Sequence, residues 1–226
     1  MRYTHVLGLV VAAVGLVGLI NAQNHDQGAE KLFNGQNLDG WRYYLDDHAV
    51  GMEDVWSVRD SLLICKGEPM GYIWTKQNYK NFHLSLEWRW APGTEPGNNG
   101  VLMRINGQPR PLPRCLEMQL RHQQVGDLYG FHGMNLAGDP ARMREVKDHA
   151  LGGHLRGVRM VETSEKEPGQ WNQAEIVVDG GNIRVTVNDK LVNEATDAEV
   201  VAGPLGLQSE GGEIHFRNIV IRKLPD

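Results

Sequence analysis

The chain has 226 residues, with 23 Lys+Arg against 28 Asp+Glu, a formal net charge of -5, 27 Gly, 10 Pro and two Cys. A mildly acidic chain without a basic block lacks the cationic footprint that nucleic-acid affinity draws on, which argues against nucleic acid as a partner. Hydrophobic residues at 41% and charged residues at 23% are ordinary globular values, excluding disorder and a membrane bundle for the bulk of the chain.

The N-terminal segment reads as a leader. Arg2 precedes Val6 to Ile20, 15 residues of Val, Leu, Ala, Gly and Ile, and polar sequence begins at Asn21-Ala22-Gln23. A membrane span needs about 20 apolar residues, so the run fits a signal peptide cleaved after Ala22. The expected organisation is a signal peptide at 1-22, a short tail at 23-29 and a single domain at 30-226. The expected destination is periplasmic or extracellular, with no stable membrane span after cleavage; a retained N-terminal anchor is the alternative. Cys65 and Cys115 lie in no nucleophile motif, and the sequence leaves open whether they form a disulfide or stay as two buried thiols.

Short β-type runs between turn residues dominate from Trp41 onward. Val55 to Val58 and Leu62 to Cys65 flank Arg59-Asp60-Ser61 at hairpin spacing. Phe82 to Trp90 alternates strictly, placing Phe82, Leu84, Leu86, Trp88 and Trp90 on one face and His83, Ser85, Glu87 and Arg89 on the other. Asn99 to Ile105 is the next strand, with Val101, Met103 and Ile105 together and Arg104 opposite. Cys115 to His122 sets Leu116, Met118 and Leu120 against Cys115, Glu117, Gln119 and Arg121. Asp139-Pro140 followed by Ala141 to Lys147 and ended by Gly152-Gly153 predicts one short helix. Ala174 to Val178, Ile183 to Val187 and Lys190 to Ala195 form a meander, and Leu205 to Gln208 and Ile214 to Ile221 close a sheet. The expected fold is all-β, an antiparallel β-sandwich or jelly roll.

Several strands offer polar rows to one sheet face: Glu117 and Gln119, Arg104, Glu87, and Gln208 with Glu210. Carboxylates, amides and guanidinium groups on a concave face suit sugar hydroxyls, whereas a solvated face with cross-strand ion pairs would look the same in sequence. His122, His132, His149 and His154 fall within 33 residues but match no helical metal signature. No cofactor is signalled, although a divalent metal ion held by loops stays open. No Gly-x-Ser-x-Gly elbow and no phosphate loop before a helix occurs.

Seven motifs occur in order: Leu32-Phe33-Asn34-Gly35 through Gly40-Trp41; Trp56-Ser57-Val58 before Leu62; Asn81-Phe82-His83-Leu84 leading to Glu87; Asn98-Asn99-Gly100-Val101 leading to Arg104; Glu117-Met118-Gln119-Leu120; Gly169-Gln170-Trp171-Asn172; and Gly206-Leu207-Gln208 with Phe216-Arg217-Asn218-Ile219. Together, over about residues 30 to 224, they resemble the 3-keto-disaccharide hydrolase-like domain family. The resemblance implies a concanavalin A-like, laminin G-like jelly roll, secretion from bacteria, and action on a carbohydrate partner of the 3-keto-glucoside type. A C3 ketone acidifies the C2 proton, so a base can remove it and the enolate expels the aglycone from C1; water then adds. Such chemistry needs a proton-transfer group, a donor or cation for the enolate oxygen and an acid for the leaving group. Carried onto this chain, Glu117 is the candidate base or acid, Arg104 the oxyanion stabiliser, and His132 and Lys147 the loop candidates for the second proton transfer. Glu87, Asn98, Gln119 and Gln208 are the substrate-binding candidates. Two other readings remain: a non-catalytic carbohydrate-binding module, and a conventional retaining glycosidase using Glu87 and Glu117 with carboxyls about 5 Å apart.

Overall fold

The structure, a computed structural model, describes residues 28-226. The expected leader and its cleavage point lie outside the described residues. Among the described residues sixteen strands pair in antiparallel fashion into two eight-stranded sheets, as the alternation predicts. The first sheet runs β14 (Lys190–Ala195), β13 (Asn182–Val187), β12 (Asn172–Asp179), β6 (Phe82–Trp90), β16 (Ile214–Lys223), β4 (Leu62–Cys65) and β3 (Trp56–Arg59), with β1 (Ala29–Lys31) on the far half of β16. The second runs β10 (Met143–His149), β11 (Gly153–Val158), β9 (Leu128–Gly130), β8 (Arg114–Gln119), β7 (Gly100–Asn106), β15 (Gly206–Ser209), β5 (Gly71–Thr75) and β2 (Trp41–Leu45). The single α-helix among the described residues is one turn, α1 (Met52–Val55). Among those residues no helix is long and apolar enough to cross a membrane.

Period-two alternation explains how the sheets stack. Phe82, Leu84, Leu86, Trp88 and Trp90 of β6 are buried in the same cluster as Val101, Met103, Leu116, Met118 and Leu120 from the other sheet. The core therefore lies between the sheets. Tight turns set the register: Asp60 and Ser61 between β3 and β4, and Asn188 and Asp189 between β13 and β14, adopt positive φ at both central positions, the twist that matches antiparallel strands. Cys65 belongs to this core and Cys115 to a second apolar cluster on the other face of the second sheet. Both are free, buried thiols.

The expected helix after Asp139 is instead strand β10. The cap signal is real but serves a turn: Asp139 Oδ1 accepts from Ala141 N at 3.0 Å, and its carbonyl accepts from Arg142 N and Met143 N. The chain then leaves as a strand because β11 is there to pair with it, Met143 opposite Val158 and Arg144 opposite Gly157. Tertiary pairing overrides a weak local preference.

The strand β7 carries the decisive irregularity. Its pairing with β8 slips between Met103 and Asn106, and Arg104 sits at φ 53°. A one-residue slip moves every following side chain to the opposite face. Ile105 accordingly joins Leu102 in the outer cluster, and Arg104 turns away from it.

Candidate functional site

The outer face of the second sheet is an apolar floor with a few polar groups set into it, the composition typical of a ligand site. Leu112, Tyr129, Phe131 and Leu155 belong to the floor, and the rings of Tyr129 and Phe131 stack with centroids 6.0 Å apart. Over it lies a cleft of about 180 Å³ that is also lined by Asn98, Glu117, Gln119, Arg121, Gln124, Arg144, His149, Gln208 and Glu210.

Glu117 occupies the middle strand, flanked in register by Leu102 of β7 and Tyr129 of β9. It is 2% exposed, and its Oε1 has no hydrogen-bond partner. Burial holds its carboxyl well above the usual carboxylate range, and the negative charges of Glu210 and Asp127 push it further. Space for the carboxyl comes from Gly100, whose absent Cβ would lie 2.0 Å from Glu117 Oε1. Gln208 of β15 is in register with Tyr72 of β5 and lies 1% exposed. Its Oε1 and the Oδ1 of Asn98 also lack partners, and both side-chain amides line the cleft together with Glu210. Burial raises the Glu210 carboxyl as well, an effect that those two amides and Arg121 oppose only in part. Two carboxyls thus share the cleft in unequal environments.

The remaining groups are fixed by bonds behind the cleft. Gln119 Oε1 accepts from Arg121 N at 2.8 Å. Tyr129 Oη donates to Asp127 Oδ2 at 2.9 Å, and Asp127 Oδ1 accepts from Met160 N at 2.7 Å. His149 Nδ1 accepts from Gly152 N at 2.9 Å, so the neutral ring carries its proton on Nε2 and can donate. A larger hollow of about 450 Å³ opens beside β1 and β16, between Lys31, Asp60 and Asn218. None of the buried polar atoms that lack a partner lines it. We place the candidate site at the smaller cleft for that reason.

Of the residues expected from sequence, the structure brings Asn98, Glu117, Gln119 and Gln208 together in this cleft. Four others lie elsewhere. Arg104 is wholly buried and donates to the backbone carbonyls of Lys80, Gly180 and Glu199 at 2.7-3.0 Å, because the bulge in β7 reverses its direction. Glu87 is in the first sheet, where Arg217 Nη2 reaches it at 2.6 Å and Asn218 Nδ2 at 2.6 Å. It cannot form a two-carboxylate pair with Glu117 across the sandwich. His132 is half-buried outside the cleft lining, its Nε2 bonded to the carbonyl of Leu112 at 2.9 Å, and Lys147 is exposed on β10, also outside the lining. Sequence reasoning missed Tyr129 and Arg144 in the lining, the latter because β10 reads as a helix, and weighed His149 only as one of a histidine cluster.

Among the described residues no group of three or more His, Cys, Asp or Glu side chains could hold a metal ion. The histidine cluster is dispersed: His154 pairs with Glu145 at 2.6 Å and His122 with Glu165 at 3.1 Å. The unpartnered oxygens of Glu117, Gln208 and Asn98 are hard acceptors, suited to sugar hydroxyls or to a hard cation.

The sequence profile of the 3-keto-alpha-glucoside-1,2-lyase-like domain matches residues 28–222. The chain belongs to that family. Among solved structures, a Parabacteroides distasonis ATCC 8503 protein provisionally described as a glycosyl hydrolase is similar with 19% identity and a TM-score of 0.65, covering 90% of this chain and 97% of that one. Another from the same organism, described in the same way, has 26% identity and a TM-score of 0.60 over 87% and 99% of the two chains. The carbohydrate-binding module CBM66 of Bacillus subtilis has 14% identity and a TM-score of 0.57 over 81% and 96%. A comparison with curated proteins found no match. These likenesses establish a concanavalin A-like, lectin-type jelly roll for this member of the lyase-like family.

Proposed function

We propose that the cleft binds a carbohydrate and cleaves 3-keto-glycosides by elimination followed by hydration. The observation that carries this reading is the buried, unpartnered carboxyl of Glu117 facing a second carboxyl, Glu210, held at lower basicity by amides and Arg121. Paired carboxyls in unequal surroundings divide into an acid and a base. Glu117, whose carboxyl burial holds above the usual range, suits the donor to the leaving oxygen, and Glu210 suits the base at C2. The base takes the C2 proton, the C2-H electrons form the enolate with charge on the C3 oxygen, and Arg121 beside the base stabilises that oxygen. The enolate then re-forms the ketone as C1=C2 forms and the C1-O bond breaks, with Glu117 protonating the departing oxygen. Addition of water across C1=C2 completes net hydrolysis. Asn98, Gln119, Gln208 and the Tyr129 ring orient the sugar.

Family membership and the glycosyl-hydrolase descriptions of the Parabacteroides distasonis proteins support a carbohydrate-active enzyme. The likeness to CBM66 supports the competing reading, a binding module that uses the same cleft. Incubation with a 3-keto-glucoside and with its unoxidised glucoside separates them. Release of aglycone from the first alone, by wild type and at least about 10² more slowly by Glu117→Gln, is expected. Binding of both without turnover would replace the enzyme by the module. Repeating the assay in chelator decides whether a hard cation joins the cleft oxygens. We also propose that the protein is exported, with an intact mass that starts at Gln23; retention of Met1 would refute cleavage.

A further inference from the structure

A second hollow, of about 470 Å³, adjoins the cleft and shares Gln124, Tyr129 and Arg144 with it. Three arginines, Arg142, Arg144 and Arg159, and one aspartate, Asp127, line it, a formal charge of +2 in a chain whose net charge is -5. Asp127 is 5% exposed and has both oxygens engaged by Tyr129 and Met160. Arg142 is a fixed wall, its Nη1 donating to the Arg159 carbonyl at 2.6 Å and to Asn193 Oδ1 at 2.6 Å. Arg144 and Arg159 are different. Both are exposed, and among the described residues neither has a carboxylate within 4.0 Å or a side-chain hydrogen bond. The residue opposite Arg144 on β11 is Gly157, where a Cβ would meet the Tyr129 ring at 2.5 Å. No side chain therefore covers Arg144 from that strand.

Two exposed guanidinium groups that line one hollow at the rim of the cleft, with no carboxylate on either, can both donate to an anion seated there. We propose that this hollow is a subsite for an anionic group, a carboxylate or sulfate, on the aglycone side of the substrate. The inference rests on the proposed carbohydrate cleavage for its position. A sugar over Glu117 sends its leaving group past the Tyr129 ring toward Arg144 and Arg159, and local positive potential would also raise the encounter rate with such substrates.

The test uses direct binding as well as turnover. Affinities of unoxidised phenyl, 4-carboxyphenyl and 4-sulfophenyl glucosides are measured by calorimetry at low and high salt, for the wild type and for Arg159→Gln with its thermal transition checked. Tighter binding of either anionic glucoside, by about tenfold or more, shrinking with salt and lost in Arg159→Gln, is the expected result. Equal affinities for the three, no measurable binding, or a preference that survives both Arg159→Gln and Arg144→Gln would overturn the subsite. Because the probes lack the ketone, this readout is independent of the elimination chemistry. An anion preference in binding with no turnover of the 3-keto forms would leave the subsite standing and remove the enzyme reading.

Discussion

The carboxyl of Glu117 occupies the place a side chain at Gly100 would take, since a Cβ there would come within 2.0 Å of Oε1 and 2.8 Å of the carboxyl carbon. The two residues lie on adjacent strands, Gly100 paired with Gln119 and Leu102 with Glu117. Gly100→Ala is expected to displace the carboxyl by about an ångström, and misplacements of that size cost about 10² in rate. The fold should survive, because the clash is with a side chain and not with backbone. Parallel measurement of kcat/KM and the thermal transition checks this: a large loss of rate with a transition lowered by a few degrees is expected, and an unchanged rate would show that Glu117 needs no such room.

A buried carboxyl with a raised pKa also links stability to pH. The unfolded chain releases the Glu117 proton near the ordinary value of 4.5, whereas the folded chain retains it to higher pH. Between those values the native state binds more protons than the unfolded state, so stability falls as pH rises. Below the unfolded value the contribution is fully present, and above the folded value the loss is complete. Glu117→Gln removes this dependence. The variant's melting temperature is expected to exceed that of the wild type by an amount that grows as pH rises above about 5, until the folded carboxyl ionises. Parallel pH profiles of the two proteins would show that the burial penalty does not reside at Glu117.

The parts of this structure that sequence makes legible are those governed by local period. The strict alternation of Phe82 to Trp90 reports a half-buried strand, and the same rule puts Glu117 and Gln119 opposite Leu116 and Met118, as observed. What a period cannot report is pairing. Glu87 is correctly placed on the polar face of its strand, yet that strand pairs with β12 and β16 in the other sheet, so its partners are Arg217 and Asn218. Arg104 is lost to a bulge carried by a non-glycine residue at positive φ, for which the surrounding residues hold no signal. β10 is obscured because Asp139 and Pro140 favour a turn and a helix start equally. Its exposure follows no clean alternation, which hides Arg144 and His149.

The cysteines lead to a chemical prediction. Burial pushes the Cys65 thiol up to about 12 and the Cys115 thiol well above its usual value of 9.0. Thiolate is the reactive form, so the native protein should titrate no thiol with a disulfide reagent at neutral pH on a timescale of minutes. Both cysteines should react once the chain is unfolded, without prior reduction. A denatured protein showing thiols only after reductant would mean the pair is oxidised.

Arg104 gives the sharpest separation between a structural and a catalytic role. Its guanidinium joins three loops at one end of the sandwich: the carbonyl of Lys80 before β6, that of Gly180 in the β12-β13 turn, and that of Glu199 between β14 and β15. Arg104→Met would leave three inward-facing carbonyls without donors, at about 1–3 kcal/mol for each that water cannot reach. A loss of about 3 kcal/mol or more is expected, and with it a fall in melting temperature of about 6-12 °C for a domain of this size. Arg104→Lys should recover only part, since an ammonium cannot reproduce the fork that spans three acceptors. Below the transition, kcat per folded molecule should stay close to the wild-type value. Removal of an oxyanion donor would behave in the opposite way, lowering kcat by about 10²–10³ at little cost in stability, and that pattern would restore Arg104 to the reacting centre.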